Sequence, residues 1–298
     1  PWRFRRSDSS LEIHADWNRR LRVRDPRGRQ LLISCGCAVF NARVALAAAG
    51  YDARVERFPE PAQPNLLARL TAQSHSDAVP IGALDSVIEL RHTNRRTFAD
   101  EPMPDDVLDA LVAAAHDEGA EAFPVLRPDH RLATIRLSRQ ADDLESVDLA
   151  YWAELRAWTS GDPGRHDGVL PIGVPNGSAV ASRDPLIRDF DDHGVGRHHP
   201  EGLSSSRQSL LLLGTRQDSQ AAWLRAGEAL EHVLLEITRR GYVASPVTQV
   251  IEVAATNALL CQELELTMHP QLLLRVGRAP ATPASRRRRL VDMVEESR

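Results

Sequence analysis

The sequence predicts an α+β fold, and three observations support this class. Apolar residues recur at helical spacing in several segments, most strongly in residues 221–240. Short runs of β-forming residues lie before and after these segments, and Gly- or Pro-rich turns separate them. The resulting order of strand, helix and strand occurs in both halves of the chain, which is typical of α+β proteins.

The first part of the chain predicts a hairpin, a helix and a strand. Residues 2–16 alternate β-forming and polar side chains around a turn at 7–10, which is the pattern of a β-hairpin. Apolar residues then recur at helical spacing over 31–49, and Gly50 ends the helix. Residues 53–58 predict a strand. Three prolines then interrupt the chain: Pro59, Pro61 and Pro64.

A second unit is predicted to begin near Ile81. Residues 85–95 predict a short helix that leads into an Arg-rich turn. The following elements are a helix opened by Pro104 and ended by Gly119, a strand at 123–126, and a helical region from Asp129 to about Trp158. Residues 161–206 are rich in Gly, Pro, Asp, His and Ser. A segment of this length without periodicity predicts a lid loop or disorder.

The C-terminal third returns to regular structure. It predicts strands at 210–214 and 272–276, an extended piece at 242–246, and helices at 221–240 and 254–264. We therefore divide the chain into an N-terminal half, 1–80, and a C-terminal half, 81–298. The strand-like pattern begins almost at Pro1, so we expect the N-terminal half to be truncated at its start.

Composition narrows the range of functions. The formal net charge is −4 and the pI is near 6.3, so we expect no nucleic-acid partner and no anionic membrane partner. No stretch approaches the roughly 18 apolar residues of a membrane span. Three cysteines make no disulfide framework, which predicts a reducing, cytoplasmic location. The glycine-rich nucleotide motifs and the common hydrolase motifs are absent from the sequence.

A basic motif at 91–98 is the strongest candidate site. All 37 basic residues are Arg, as expected from codon bias in a GC-rich genome, so each arginine must be judged by its position. Arg91, His92, Thr93 and Arg95 bring guanidinium, imidazole and hydroxyl groups to a helix-to-loop junction. These groups suit a dianionic phosphate monoester, and a solvated basic turn is the alternative. Residues 286–289 form a second cluster that is either a solvated tail or a further contact to the same phosphate.

Residues 245–249 form the second candidate. Pro246 lacks an amide donor, which leaves the amides of Val247, Thr248 and Gln249 for a planar ligand edge; an ordinary turn is the alternative. Other clusters receive structural interpretations. Cys35 and Cys37 are expected in the core, the Asp and His residues of 189–199 in a solvated lid, and Glu154 on a solvated helix face. No metal site and no catalytic acid or base is assigned.

Together these segments resemble the FMN-binding nitroreductase superfamily, most closely its single-chain Acg branch from actinobacteria. The matches run almost from end to end. They comprise Pro1-Trp2-Arg3-Phe4, Asp25-Pro26 with Gly28-Arg29, Ser34-Cys35-Gly36, the 91–96 motif, Ala226-Gly227, Ser245 to Gln249, Glu252, and Pro270 to Gly277. One departure is that the residues expected just before Pro1, which touch the flavin in relatives, are missing from this sequence.

The resemblance implies a flavin fold with a central, mainly antiparallel sheet wrapped by helices. It also implies two fused copies of one unit, a pseudo-dimer within the chain that keeps one FMN and exists as a monomer or a homodimer. Carried over by motif, Arg91, His92, Thr93 and Arg95 hold the FMN phosphate, with Arg287 or Arg288 reaching it from the tail. Residues Pro246, Val247, Thr248 and Gln249 line the isoalloxazine, with the Thr248 amide donating to N5, and 161–206 forms a lid.

Two functions of different classes follow from this resemblance. The first is an NAD(P)H-dependent flavin oxidoreductase that reduces nitroaromatic or quinone acceptors. The second is a non-catalytic FMN-sequestering protein of stress or dormancy, in which the lid closes over the flavin. A third hypothesis is a structural domain that binds no flavin.

Overall fold

The computed structural model describes residues 1–7, 9–75, 79–159, 162, 164–169, 208–283, 285 and 287–296. Almost all of the predicted lid, 161–206, lies outside these residues. So do the Asp and His cluster of 189–199 and Arg286. The described residues form two β-sheets and two long helices that pack against each other, together with shorter helices on the C-terminal side.

The N-terminal sheet is built around the predicted hairpin. Its strands are β1 (Trp2–Arg6), β2 (Ser10–Ala15), β3 (Tyr51–Arg57) and β4 (Leu66–His75), in the spatial order β3-β4-β2-β1. All of these pairs are antiparallel. Helix α1 (Arg29–Ala48) connects β2 to β3 and packs on the sheet.

The C-terminal sheet repeats this arrangement. Its strands are β5 (Glu121–Pro124), β6 (Ser209–Thr215), β7 (Val243–Val247) and β8 (His269–Gly277), in the spatial order β5-β6-β8-β7. These pairs are also antiparallel. Helix α6 (Gln220–Arg239) connects β6 to β7, as α1 connects β2 to β3.

The two halves are therefore structural copies of one unit. Both helices are 20 residues long, and every position of α1 has a counterpart on α6 that lies 191 residues later in the chain. Gly36 and Gly227 are such a pair, and their Cα atoms meet where the helices cross. A Cβ on Gly36 would lie 2.1 Å from the Leu224 carbonyl oxygen, and one on Gly227 would lie 2.0 Å from that of Ile33. The crossing therefore requires glycine on both helices.

Among the described residues, the remaining α-helices lie in the C-terminal half. They are α2 (Asp85–Ile88), α3 (Asp105–Asp117), α4 (Pro128–Ser146), α5 (Leu149–Trp158), α7 (Gln249–Glu252) and α8 (Ala254–Glu263). Helix α3 packs on α6 and β5, whereas α4, α7 and α8 pack together. The predicted α+β class, its mainly antiparallel strands and its duplication are confirmed, with one sheet in each half.

Both faces of the C-terminal sheet are buried. Along β6, Leu211 and Leu213 belong to the core shared with α1 and α6, whereas Leu210 and Leu212 belong to the core formed with α4, α7 and α8. A strand covered on both faces is apolar at every position, which explains the continuous leucine run.

The outer face of the N-terminal sheet instead carries a ladder of charges. Arg5 Nε donates to Glu12 Oε2 at 2.7 Å, and Arg69 Nε donates to Glu12 Oε1 at 2.9 Å. Arg69 also pairs with Glu60. Arg5, Glu12 and Arg69 lie on the adjacent strands β1, β2 and β4, so the ladder crosses the sheet.

Two strands were not predicted. Strand β4 follows the three prolines directly, and its pairing with both β2 and β3 determines its structure more than the local sequence does. Strand β9 (Val294–Glu296) comes from the C-terminal tail and pairs in parallel with β1, with Phe4 opposite Val294. The tail of the second half therefore extends the sheet of the first.

Other details also differ from the predictions. The helical region from 129 to 158 is two helices, because the Asp148 side chain caps α5 by accepting from the Ala150 amide at 2.8 Å. Glu154 lies half-buried on α5, and its carboxylate accepts from the amides of Val23 and Arg24, both at 3.1 Å, a role that the sequence did not predict. Cys35 is fully buried, as predicted.

Helix α1 is long and apolar enough to cross a membrane by length and composition, contrary to the prediction that no segment is. More than half of its apolar window is buried inside the protein, where it packs on α6 and on the N-terminal sheet. Its apolar character is therefore explained by its place between the two halves.

Candidate functional site

A cleft lies where the first residues of the chain meet the C-terminal half and its tail. Its first part is a cavity of about 350 Å³. The cavity is lined by Trp2, by Thr93 and Arg95 of the basic motif, and by Arg287 and Arg288 of the tail. We call this part the phosphate cavity. It contains four of the predicted site residues, although they are almost 200 positions apart in the chain.

The second part of the cleft is a cavity of about 280 Å³ that we call the ring cavity. Its walls are largely apolar and include Leu21, Leu155 and Pro246, together with the hydroxyl residues Ser245 and Thr248. Four residues line both cavities: Arg95, Trp158, Gly168 and Val169. The two cavities are therefore adjacent: among the described residues, four arginines line the phosphate cavity, whereas the ring cavity is mainly apolar and has Arg24 and Arg95 as its charged side chains.

Buried Asn94 holds the basic motif in place. Its backbone amide donates to the Ala244 carbonyl at 2.9 Å, and its Nδ2 donates to the Pro280 carbonyl at 2.8 Å. Its Oδ1 accepts from the Arg96 amide at 3.0 Å. Asn94 thus ties the motif to β7 and to the start of the tail. Its position inside the 91–96 motif is the feature of the sequence that indicates this role.

The tail arginine Arg288 is prepared for an anion. Its Nη2 donates to the Asp292 carbonyl at 2.6 Å. Its Nη1 is shielded from solvent and has no hydrogen-bond partner among the described residues. A shielded guanidinium nitrogen without an acceptor is costly, and a phosphate oxygen would offset that cost.

Arg91 and His92 stand back from the cleft. Arg91 Nε forms an ion pair with Glu231 Oε1 at 3.1 Å. Neither Arg91 nor His92 is among the described residues that line the two cavities. Burial lowers the pKa of His92, and the positive charges of Arg287 and Arg91 lower it further. Both residues therefore lie close to the tail arginine without facing the cavity space.

Of the four residues predicted to line the flavin ring, two line the ring cavity and two are buried elsewhere. Pro246 and Thr248 line the ring cavity. Val247 is fully buried in the core beneath the C-terminal sheet, and Gln249 is buried with its Nε2 donating to Asp142 Oδ1 at 3.1 Å. Pro246 and Val247 are neighbours on β7 and point to opposite faces of the sheet, whereas Gln249 lies outside the strand as the first residue of α7.

A clasp of four side chains closes one side of the cleft. Arg19 and Arg165 lie over the Trp158 ring, with guanidinium carbons 5.0 and 5.4 Å from its centroid, and Asp167 forms an ion pair with each of them. Burial acts to raise the pKa of Asp167, but the hydrogen bonds from Arg19 and Arg165 outweigh it and lower that pKa. The clasp therefore stays charged at neutral pH and links the N-terminal segment to residues 158–169.

Comparison with known proteins identifies the family. No protein-family model matches the chain. The "Putative NAD(P)H nitroreductase Rv3131" of Mycobacterium tuberculosis is 33% identical over 301 residues, which cover 99% of this chain and 86% of that protein. The "Putative NAD(P)H nitroreductase acg" of the same organism is 32% identical over 304 residues, covering 99% and 89%. The chain belongs to this nitroreductase family.

A solved structure is similar as well. The FMN-dependent nitroreductase NfnB from Mycobacterium smegmatis, in complex with NADPH, is 15% identical. The two structures superpose with a TM-score of 0.48 over 73% of this chain and 99% of that one.

The cleft of this nitroreductase-family chain has the donors that FMN requires. Four of the described arginines line the phosphate cavity: Arg19, Arg95, Arg287 and Arg288. Arg19 is paired with Asp167, the carboxylate among the described lining residues, so Arg95, Arg287, Arg288 and the hydroxyl residue Thr93 are the donors offered to a phosphate. The ring cavity offers apolar walls for a flat aromatic system and polar groups at the end of β7. The phosphate of FMN would therefore meet cationic groups in the cleft, and its ring system would meet apolar walls.

In the N-terminal half of this nitroreductase-family protein, charged side chains occupy the position that corresponds to Thr248 at the ring cavity. Counting by the same offset of 191 residues, Thr248 corresponds to Arg57. Arg57 does not line a ring cavity but donates to both oxygens of Glu228, at 2.6 and 2.8 Å. Glu228 also pairs with Arg43 at 3.1 Å and is fully buried. An internal ion network thus replaces a second cleft at this position.

Proposed function

We propose that the cleft binds one FMN per chain and that the protein is an NAD(P)H-dependent flavin oxidoreductase. The observation that supports this most directly is the adjacency of a cationic cavity and an apolar cavity with Arg95 at their junction. Membership of the nitroreductase family supports the same reaction class. When bound, FMN would supply hydride acceptance from NAD(P)H and electron delivery to an acceptor.

The residues of this chain would bind and orient the cofactor. Arg95, Arg287 and Arg288 would contact the phosphate together with Thr93. Pro246 would pack against the ring, and the Thr248 amide, at the end of β7, is the proposed donor to N5. Arg91 and His92 would lie behind the phosphate site, where the charge of Arg91 would add to the positive potential around Arg287. The proposed acceptors are nitroaromatics and quinones, because their reduction needs no side-chain acid and the ring cavity offers none among its described residues.

One observation favours the second candidate, a protein that stores FMN without turnover. Trp158 of the clasp lines the ring cavity, and Arg19 and Asp167 line the adjacent phosphate cavity. In this candidate the closed clasp would hold Trp158 at the ring and keep a nicotinamide away from it. Because the ion pairs of the clasp stay charged at neutral pH, only substrate binding or a mutation would open it.

Anaerobic reduction separates the two candidates. The FMN-loaded protein is mixed with NADPH or NADH while the visible flavin absorbance is followed, and nitrofurazone or a quinone is then added. The oxidoreductase proposal expects bleaching by a nicotinamide and recovery with the acceptor. Bleaching by dithionite but by neither nicotinamide contradicts it and supports storage.

An Asp167→Asn variant sharpens this experiment. It removes the carboxylate that joins Arg19 to Arg165, and so weakens the clasp. A storage protein should become reducible by NAD(P)H when the clasp is weakened, whereas an oxidoreductase should already be reduced in the wild type. Asp162→Asn, an exposed change near the same segment, serves as the control.

A further inference from the structure

We propose that Arg24 gives the ring cavity a preference for planar anionic ligands, such as aromatic or unsaturated carboxylates, over neutral molecules of the same shape. The proposal rests on the proposed function, because FMN fills one side of the ring cavity and the ligand is expected to stack on it. It names a specificity-determining residue and the chemical class of acceptor or inhibitor that this residue recognises.

The ring cavity carries a net positive charge. Among its described lining residues, the charged side chains are Arg24 and Arg95, and none is a carboxylate. Arg95 also lines the phosphate cavity, where the phosphate would engage it. Arg24 lines the ring cavity and, on its other side, a separate polar cavity of about 260 Å³. A positive charge at the ring therefore remains after the cofactor phosphate is bound.

The backbone of Arg24 is fixed by hydrogen bonds on both sides of the turn. Glu154 of helix α5 accepts from the Val23 and Arg24 amides, both at 3.1 Å. The Asp25 amide donates to the Leu21 carbonyl at 2.8 Å, which closes the turn. A carboxylate that accepts two adjacent amides holds the turn in one orientation. The guanidinium therefore extends from a preorganised backbone, which lowers the entropic cost of binding a ligand.

The Arg24 guanidinium is mostly shielded from solvent and incompletely bonded. The Arg24 side chain is 14% exposed, and its Nε lies 3.6 Å from Glu252 Oε2, beyond normal hydrogen-bond distance. Its guanidinium carbon is 5.8 Å from the Tyr151 ring centroid. Nε has no hydrogen-bond partner among the described residues. A ligand carboxylate would provide the charge-assisted bonds that this geometry does not.

A structural role for Arg24 makes a different prediction. In that case the pair with Glu252 only attaches the 21–24 turn to α7, and the charge does not reach a ligand. Loss of Arg24 would then weaken every ligand equally or destabilise the fold. Comparing an anion with its neutral isostere distinguishes the two roles.

The experiment titrates the FMN-loaded protein with 4-nitrobenzoate and with 4-nitrobenzamide, and follows the change in the bound flavin spectrum. The wild type should bind the carboxylate tighter than the amide by about tenfold or more, the scale of a charge-assisted hydrogen bond. Arg24→Gln should abolish the preference while leaving the amide affinity unchanged, and Arg24→Lys should retain part of it. Arg27→Gln is the matched control, since Arg27 lines the separate cavity and is 65% exposed.

Equal affinity of the wild type for the two ligands overturns the proposal, and so does a preference that survives in Arg24→Gln. If Arg24→Gln does not fold, Glu252→Gln carries the test: removing the competing carboxylate should increase the preference for 4-nitrobenzoate, and an unchanged preference contradicts the proposal. FMN affinity is measured separately, so failure of the cofactor site is not mistaken for loss of anion preference. If FMN does not bind, calorimetric titration of the flavin-free protein with the same two ligands decides the point.

Discussion

The two sheets have the same strand order but different surroundings. The C-terminal sheet is buried on both faces by α6 on one side and by α4, α7 and α8 on the other, and its β6 is apolar throughout. The N-terminal sheet buries one face against α1 and carries the Arg5–Glu12–Arg69 ladder on the other. The additional helices lie in the half whose strand end, at Thr248, opens into the ring cavity.

The same difference appears at equivalent positions. Thr248 lies at a cavity, whereas Arg57, its counterpart, is held by buried Glu228. Equivalent positions of the two copies therefore serve different purposes: one borders a cavity, and the other forms an internal ion network. The N-terminal copy acts as a support: it supplies the first residues of the cleft and receives strand β9 from the tail that carries Arg287 and Arg288.

The largest expected effect is in the doubly covered sheet. Leu212→Ala removes a fully buried side chain from the core beneath the C-terminal sheet and should lower the free energy of unfolding by about 2–5 kcal/mol. Urea denaturation measures it. Arg54→Ala, at an exposed ion pair of the N-terminal sheet, is the control and should change stability by about 0.5 kcal/mol or less. A similar loss for both variants would contradict the contrast between the sheets.

The helix crossing that joins the halves should be nearly as sensitive. Gly227→Ala places a Cβ against the Ile33 carbonyl and the Gly36 Cα, so we expect a loss of about 1–3 kcal/mol from overpacking. Arg225→Ala, on the exposed face of the same helix, should be close to neutral. Unchanged stability of Gly227→Ala would show that the two halves are not in the close contact described.

A smaller, pH-dependent effect is expected in the charged ladder. Burial acts to raise the pKa of Glu12, but hydrogen bonds from Arg69, His14 and Arg5 outweigh it and lower that pKa from 4.5 to about 2. A group with a lowered pKa in the folded state stabilises the protein above its unfolded pKa, and this contribution is lost as the pH falls through the folded value. Glu12→Gln should therefore cost about 1–2 kcal/mol at pH 7.

The difference between Glu12→Gln and the wild type should shrink as the pH falls from about 4.5 towards 2. Denaturation at several pH values checks this. A difference that stays constant over that range would show that the Glu12 carboxylate does not contribute through its charge.

The sequence predicted most elements of the duplicated unit because helical spacing and strand composition are local signals. Strands β4 and β9 were missed because long-range pairing determines them. The site was predicted only by motif. Thr93, Arg95, Pro246, Thr248, Arg287 and Arg288 line the cleft, but only the fold shows that β7 turns Val247 inward and that Glu231 engages Arg91. Trp158 and Asp167 carried no recognisable signal, because the clasp joins segments that are distant in the chain.

The most direct test of the account is the affinity of the protein for FMN and for riboflavin, which lacks the phosphate. Arg288→Gln should weaken FMN binding by about 10- to 100-fold and leave riboflavin binding unchanged, since Arg288 lies in the phosphate cavity. The matched control is Arg289→Gln: Arg289 is 66% exposed and paired with Asp292, so its loss should affect neither ligand. Unchanged FMN affinity in Arg288→Gln, or an equal loss for riboflavin, would contradict the placement of the cofactor in this cleft.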